Sequence, residues 1–213
     1  RYEGTTPIPY ERVDFDYTHL INAVKSLAEV IEKKKKEVVV VVISTVIPGT
    51  FRNKLVPIAN KYMKLCYNPF FIAMGTTMPD YLNPEFVLFG VWENEAAEKA
   101  EKFYRTIHDK PFYKTAVENS ELIKVAYNTY IGMKISFVNT LMEICHKTPG
   151  SNVDEVTSAL KLATDRLISP RYMDAGMGDG GGCHPRDNIA LSWLAKVKNL
   201  SYDIFEAIMM ARE

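Results

Sequence analysis

The sequence lacks a net charge: Lys and Arg number 26, as do Asp and Glu, in 213 residues. A balanced chain has no overall field with which to hold a polyanion, and no basic segment is interleaved with aromatics, so nucleic acid is not an expected partner. The run KKKKE at 33–37 is a local excess that reads as a solvated helix end before a strand. No stretch approaches the roughly 20 consecutive apolar residues of a membrane span, and no charged-then-apolar leader opens the chain, so no membrane contact is expected. Cysteine is scarce, with Cys66, Cys145 and Cys183 alone and no paired spacing. An odd, unpaired set argues against a disulfide framework and for a reducing, cytoplasmic compartment. One Cys beside one His, at 183 and 184, without further spaced ligands, gives no metal site. An initiator methionine is also missing, and RYEGTTPIPYERVDF reads as an interior loop, so the chain is expected to be part of a longer protein.

What is present suffices for a packed core, since 47% of the residues are apolar. Leu20, Ile21, Val24, Leu27, Ala28 and Ile31 recur at the spacing of a helix with one buried stripe over 16–34. EVVVVVIS at 37–44 is a continuous β-branched run, the pattern of a parallel strand covered on both faces. Residues 51–61 read as helix, 62–69 and 86–92 as further strands, and 94–107 as helix, an alternation that predicts an open α/β sheet. From Asn119 to His146 a helical period runs for about 28 residues, roughly 40 Å of helix at about 1.5 Å per residue. Helices follow from Asp154 to about Leu167 and from Asp187 onward, with Asn152 or Asp154 capping the first and Asp187 the second.

Between those last two helices lies GMGDGGGCHPRDN, residues 176–188, with five glycines in seven positions. Either it is a flexible surface loop that happens to hold a thiol, or it is a backbone cradle that brings substrate against a nucleophile. Glycine amides can approach a ligand closely, and Arg186 with a following helix N-terminus could support a thiolate at Cys183. Unpaired cysteines are more often small buried hydrophobes, so the residues alone leave both readings open. On the long helix, Glu121, Lys124 and Asn128 share one face, and the plain reading of Glu121 and Lys124 is an exposed surface pair.

Five blocks resemble, in order, those of nucleotide-sugar 6-dehydrogenases, the UDP-glucose and GDP-mannose dehydrogenase family: ISTVIPGT at 43–50, ENSELIKVAYNTYIGMKISFVN at 118–139, NVDEVTSAL at 152–160, DRL at 165–167 and GDGGGCHPRD at 178–187. The resemblance implies the C-terminal part of a Rossmann-like parallel sheet domain that binds NAD over residues 1–114, then a long central helix and helical substrate and dimerisation domain over 115–213. No strand leading into GxGxxG is present, and such a part is expected to be inactive alone. The implied reaction is oxidation of a sugar 6-hydroxyl to the uronate by two hydride transfers to NAD through a cysteine thioester. Carried over by motif, Cys183 is the nucleophile, Lys124 stabilises the oxyanion, Asn128 holds the reacting hydroxyl or water, and Asp187 helps activate that water. Thr45 matches a cofactor contact, and Arg186 stands where a lysine near cofactor or substrate is usual. Gly180 matches a backbone contact to the sugar, Tyr172 a substrate-packing aromatic, and Arg166 an arginine reaching substrate across a homodimer built on the long helix.

The chain departs from that pattern in YNPFFIAMGTTMPDYLNP, where Phe70 and Met74 occupy positions that are usually acidic. One of those acids is credited with assisting thioester hydrolysis, so the runner-up reading is a relative with impaired hydrolysis that binds a nucleotide sugar or dimerises. A third reading, from another class, is a cysteine hydrolase or acyltransferase pairing Cys183 with His184. Adjacent residues rarely place an imidazole correctly against a thiol, and no orienting Asn or Asp is evident.

Overall fold

The computed structural model describes residues 12–165, 167, 169, 181–199 and 203–212, without the side chains of Thr140, Glu143 and Arg212. Two compact units divide the chain, Phe15–Val125 in one and the described residues of Arg1–Asp14 and Ala126–Glu213 in the other.

The first unit is a mixed α/β layer. Helix α1, Thr18–Lys34, buries Val24, Ala28 and Ile31, while Leu27 of the expected stripe faces solvent. Strand β1, Val38–Val42, pairs in parallel with β2, Met63–Tyr67. Strand β3, Val87–Val91, runs antiparallel to β2 and parallel to β4, Phe112–Ala116, so the sheet order is β1-β2-β3-β4 and one of its three ladders is reversed. The β-branched run does make a parallel strand, but it forms one border of this sheet and buries only Val42. Strand β4 escaped the sequence reading because FYKTA is mostly exposed and shows no apolar run. Helix α3, Asn94–Tyr104, lays Ala96, Ala97, Ala100 and Tyr104 against Cys66, Val87 and Phe89 of the sheet.

Between β1 and β2 the expected helix over 51–61 is only a π turn, Phe51–Leu55, and a 3-10 turn, Val56–Ile58. Pro57 has no N–H to continue an α ladder, which limits the segment to short turns. A further short helix, α2 at Thr77–Leu82, was not expected because its six residues include Pro79.

Helix α4, Val117–Lys147, is the long helix of the sequence reading at 31 residues; its start lies in the first unit and its residues from Ala126 onward in the second. Helix α5 spans Val153–Lys161, shorter than expected, with the Asn152 side chain accepting from the Asp154 amide as its cap. Helix α6, Cys183–Val197, starts four residues before the expected cap at Asp187, which instead lies buried inside the helix. The single helix expected beyond 187 breaks near Asn199, at φ +52°, and resumes as α7, Ile204–Arg212. There Asp203 caps the new start, accepting from the amides of Phe205 and Glu206. At the beginning of the chain Arg12 donates to both carboxylate oxygens of Glu206, at 2.8 and 3.1 Å, and Ser192 donates to Glu206 and Asp203. No helix among the described residues is long and apolar enough to cross a membrane.

The first unit leaves one position no freedom. A Cβ on Gly90 of β3 would fall 2.1 Å from the Ser120 hydroxyl and 3.1 Å from the Tyr67 ring. Gly90→Ala is therefore an overpacking substitution, expected to destabilise by about 1–3 kcal/mol. Thermal melts followed by circular dichroism check this, and an unchanged melting temperature would refute the close packing of α4 on the sheet.

Candidate active site

Strands β1 and β2 are parallel, so their carboxyl ends and the segments that leave them, 43–50 and 68–76, lie at one edge of the sheet. In open α/β sheets that edge is where ligands bind. Thr45 sits half-buried in the first segment. In the second, Asn68 is fully buried, donating to the Leu88 carbonyl at 2.9 Å and accepting from the Tyr104 hydroxyl at 2.6 Å, which fixes the base of the segment to β3 and α3. Phe70 packs among aromatic rings, 5.6 Å from Tyr81 and 6.3 Å from Tyr104, while Met74 is 99% exposed.

The first turns of α4 address both segments. Glu121 is fully buried, and its carboxylate accepts from the Gly49 amide at 2.6 Å and the Phe51 amide at 2.7 Å. Lys124 is also buried, with its ammonium 5.1 Å from the centre of the Phe71 ring, a cation–π contact. The exposed Glu121–Lys124 surface pair expected from the i, i+3 spacing is thus overturned: each side chain is drawn inward to a different segment. The misreading had a signal against it, since position 121 falls on the same helical stripe as Val117, Val125 and Asn128. Burial pushes the Glu121 carboxyl up to about 7, against the opposing effect of its two amide donors. Nearby, Arg52 pairs with Glu118 at 2.6 Å and lies over the Trp92 ring.

The second unit brings together a different set. Cys183 is exposed at the first position of α6, behind Gly182 and a Gly181 at φ +111°, a conformation that suits glycine. Asp187, one turn later on the same helix, is fully buried. Its two oxygens accept from Asn128 Nδ2 of α4 at 2.7 Å and from Arg186 Nε at 2.9 Å, so amide and guanidinium together satisfy a carboxylate removed from water. Gly132, the one glycine of α4, faces α6, and a Cβ there would make only ordinary contacts, at 3.4 Å from Asn188 Nδ2 and 3.7 Å from His184 Cβ. The imidazole of His184 faces α4 as well, with Nδ1 3.0 Å from the Asn128 carbonyl oxygen, and among the described residues no group of three His, Cys, Asp or Glu is placed to hold a metal ion.

Of the residues marked by the sequence, the structure joins Asn128, Asp187 and Arg186 in one cluster below Cys183 on α6, while Thr45 and Lys124 belong to the α/β unit. Arg166, Tyr172 and Gly180 lie outside the described residues. Sequence reasoning missed Asn188, whose buried Oδ1 has no hydrogen-bond partner among the described residues, and misjudged Glu121 as exposed.

Residues 4–108 match the NAD binding domain of the UDP-glucose/GDP-mannose dehydrogenase family, and residues 118–212 match the central domain of the same family. Among curated proteins, the chain is 34% identical over 205 residues to UDP-glucose 6-dehydrogenase TuaD of Bacillus subtilis, covering 93% of this chain and 42% of that protein. It is 29% identical to the UDP-glucose 6-dehydrogenase of Rickettsia conorii, over 93% of this chain and 45% of that one. Among solved structures, a UDP-glucose dehydrogenase from Pyrobaculum islandicum superposes with a TM-score of 0.86 at 26% identity, over 93% of this chain and 46% of that one. A ternary complex of GDP-mannose dehydrogenase from Pseudomonas aeruginosa gives 0.67 at 27% identity, over 93% and 47%. The chain thus spans a little under half the length of the relatives it matches.

The contrast between the cysteines is open to test. Cys66 is sealed in the sheet core, and burial pushes its thiol up to about 12, whereas Cys183 is exposed. Iodoacetamide at pH 7.5 is expected to modify Cys183 and leave Cys66 untouched until denaturant is added, as read by peptide mass. Early modification of Cys66 would contradict the sealed core.

Proposed function

Because the chain belongs to the UDP-glucose/GDP-mannose dehydrogenase family, we propose that it serves the NAD-dependent oxidation of a nucleotide sugar at its 6-hydroxyl, giving the uronate. The observation that carries the reading is the pairing of an exposed thiol at a helix start with a buried, doubly held carboxylate one turn behind it, in the stretch that matches the family's central domain.

The sheet edge fits a dinucleotide in its donor chemistry. The hydroxyls of Ser44 and Thr45 lie two and three residues beyond β1, while the amides of Gly49 and Phe51 are taken by Glu121. Thr45 is the side chain proposed to hold the cofactor, with Arg186 as a second cationic contact. NAD, when bound, supplies the acceptor for hydride in both oxidations.

The protein's own residues hold and move the rest. Between the two oxidations the Cys183 thiolate, its proton released to solvent, adds to the aldehyde carbon, and the adduct becomes the thioester when its C–H hydrogen leaves as the second hydride. The oxygen on that carbon gains negative charge, which the Lys124 ammonium and the amides at the start of α6 stabilise. Asn128 orients the reacting hydroxyl and later the water. Asp187 accepts a proton from that water as it attacks the thioester, the carbon–sulfur bond breaks, and the thiol is restored. Arg166, Tyr172 and Gly180 are proposed to hold the sugar nucleotide.

A second reading, a relative that binds nucleotide sugar but hydrolyses its thioester slowly, is favoured by one observation. Phe70, packed in an aromatic cluster, and Met74, exposed, stand where the resemblance expects acids, and neither side chain carries a carboxylate. The partner proposed in either case is a second copy of the chain. Tyr130, Phe137 and Ile144 lie exposed at intervals of about two helical turns along α4, an apolar stripe suited to another helix. The three free cysteines suit a reducing cytoplasm.

The full-length protein is to be mixed with candidate UDP- and GDP-sugars and NAD, following NADH formation and the mass of the Cys183 peptide. Two NADH per sugar and a transient adduct are expected. A single turnover that stops after two NADH per active site, with a lasting thioester on Cys183, selects the second reading, and acylation without NAD would overturn both. For the assembly, Phe137→Glu with Ile144→Glu is expected to halve the mass measured by light scattering, and an unchanged mass would remove α4 from the interface.

A further inference from the structure

A carboxylate with no exposed surface in the first turns of a helix needs a reason to be there. Glu121 has none in the reaction just described, yet it spends both oxygens on the backbone of one segment, at 2.6 Å to Gly49 and 2.7 Å to Phe51. These amides bracket the end of the 43–50 segment and the start of the π turn, where Gly49 takes φ +94°. The same segment is held from its other side by Tyr17, whose hydroxyl accepts from the Thr50 hydroxyl at 3.1 Å and lies 3.5 Å from the Ile47 amide. Three residues along α4, Lys124 reaches the neighbouring segment at Phe71.

We propose that Glu121 is a positioning residue whose ionised carboxylate clamps the 43–50 segment to α4, so that Thr45 is presented to the dinucleotide in full register only while Glu121 carries its charge. The inference rests on the proposed cofactor role of Thr45 and adds to it a proton-dependent setting.

The chemistry of the clamp gives the direction. An ionised carboxylate offers two equivalent acceptors, one for each amide. Protonation converts one oxygen into a hydroxyl, a poor acceptor whose hydrogen faces an amide hydrogen, so one of the two bonds is lost. The charged groups around it are Glu118 on α4, which raises its proton affinity, and Arg52 on the π turn, which lowers it; burial outweighs both. With the carboxyl pushed up to about 7, the clamp is closed at pH 8 and half released near neutrality.

Stability runs the other way. The folded protein holds this proton more tightly than the unfolded chain does, so the stabilising contribution of Glu121 is full below about 4.5 and is lost as pH rises through about 7. A clamp that tightens as the fold weakens is the signature of a group retained for position rather than for stability.

The test has two arms. Without any cofactor, the amide resonances of Gly49 and Phe51 in the isotope-labelled protein are followed from pH 5.5 to 8.5. Both are expected to titrate together with a midpoint near 7, and in a Trp193→Phe background the emission of Trp92, 4.7 Å from Arg52, follows the same curve. With cofactor, Glu121→Gln is expected to raise the KM for NAD by about tenfold at pH 8 with a smaller change in kcat, and to abolish the change of KM between pH 6 and 8. Amides that stay still across the range overturn the clamp, whatever the activity. Moving amides with an unchanged KM in Glu121→Gln overturn its link to Thr45, and a protein that titrates as expected but oxidises no nucleotide sugar leaves the clamp standing and removes the proposed function instead.

Discussion

Two carboxylates sealed from water organise this chain, and each is tolerable only because donors are brought to it. Burying an unpaired charge costs several kcal/mol, a sum comparable to the whole stability of a domain. Glu121 meets the demand with main-chain amides and Asp187 with an amide side chain and a guanidinium. The difference matters, because backbone donors cannot rotate away whereas Asn128 and Arg186 can. The Glu121 site therefore fixes a segment of chain, and the Asp187 site fixes two side chains.

Helix α4 takes part in both, carrying the Glu121 carboxylate in one and the Asn128 donor in the other. The face of α4 that carries Glu121, Lys124 and Asn128 is polar where an amphipathic helix would ordinarily be apolar, and around it Val117, Val125, Ile131, Ile135 and Val138 supply the packing. Consistency between pattern and fold is broken at a few positions, and those are the ones to which chemistry or positioning is proposed above. The same division separates the cysteines. Cys66 behaves as a small apolar residue under the sheet, and Cys183 stands at a helix start with no side chain before it for two residues.

Much of the α/β layer could be read from periodicity, because β1, β2, β3, α1 and α3 each carry a continuous apolar run or stripe. What escaped was set by tertiary contacts. Strand β4 has no apolar pattern of its own and is held by its ladder to β3, and the reversal of β3 leaves no mark in sequence. The start of α6 was misplaced to Asp187 because an aspartate before a helical period is a familiar cap, while Gly182 announces nothing. Motif resemblance brought Asn128 and Asp187 to notice together, and their hydrogen bond connects positions 59 residues apart that no local spacing could have linked. Glu121 was misjudged for the opposite reason: its spacing to Lys124 is that of a common surface pair, and only the burial of the whole stripe tells otherwise.

The Arg12–Glu206 ion pair joins partners 194 residues apart, with nearly all of the α/β layer encoded between them. On a ribosome adding about 5–20 residues per second, the arginine emerges roughly 10–40 s before its acceptor exists. The helical unit thus closes only after the sequence of the α/β layer has been made, and the segment around Arg12 waits, solvated and unspent, while its neighbour has already had time to fold.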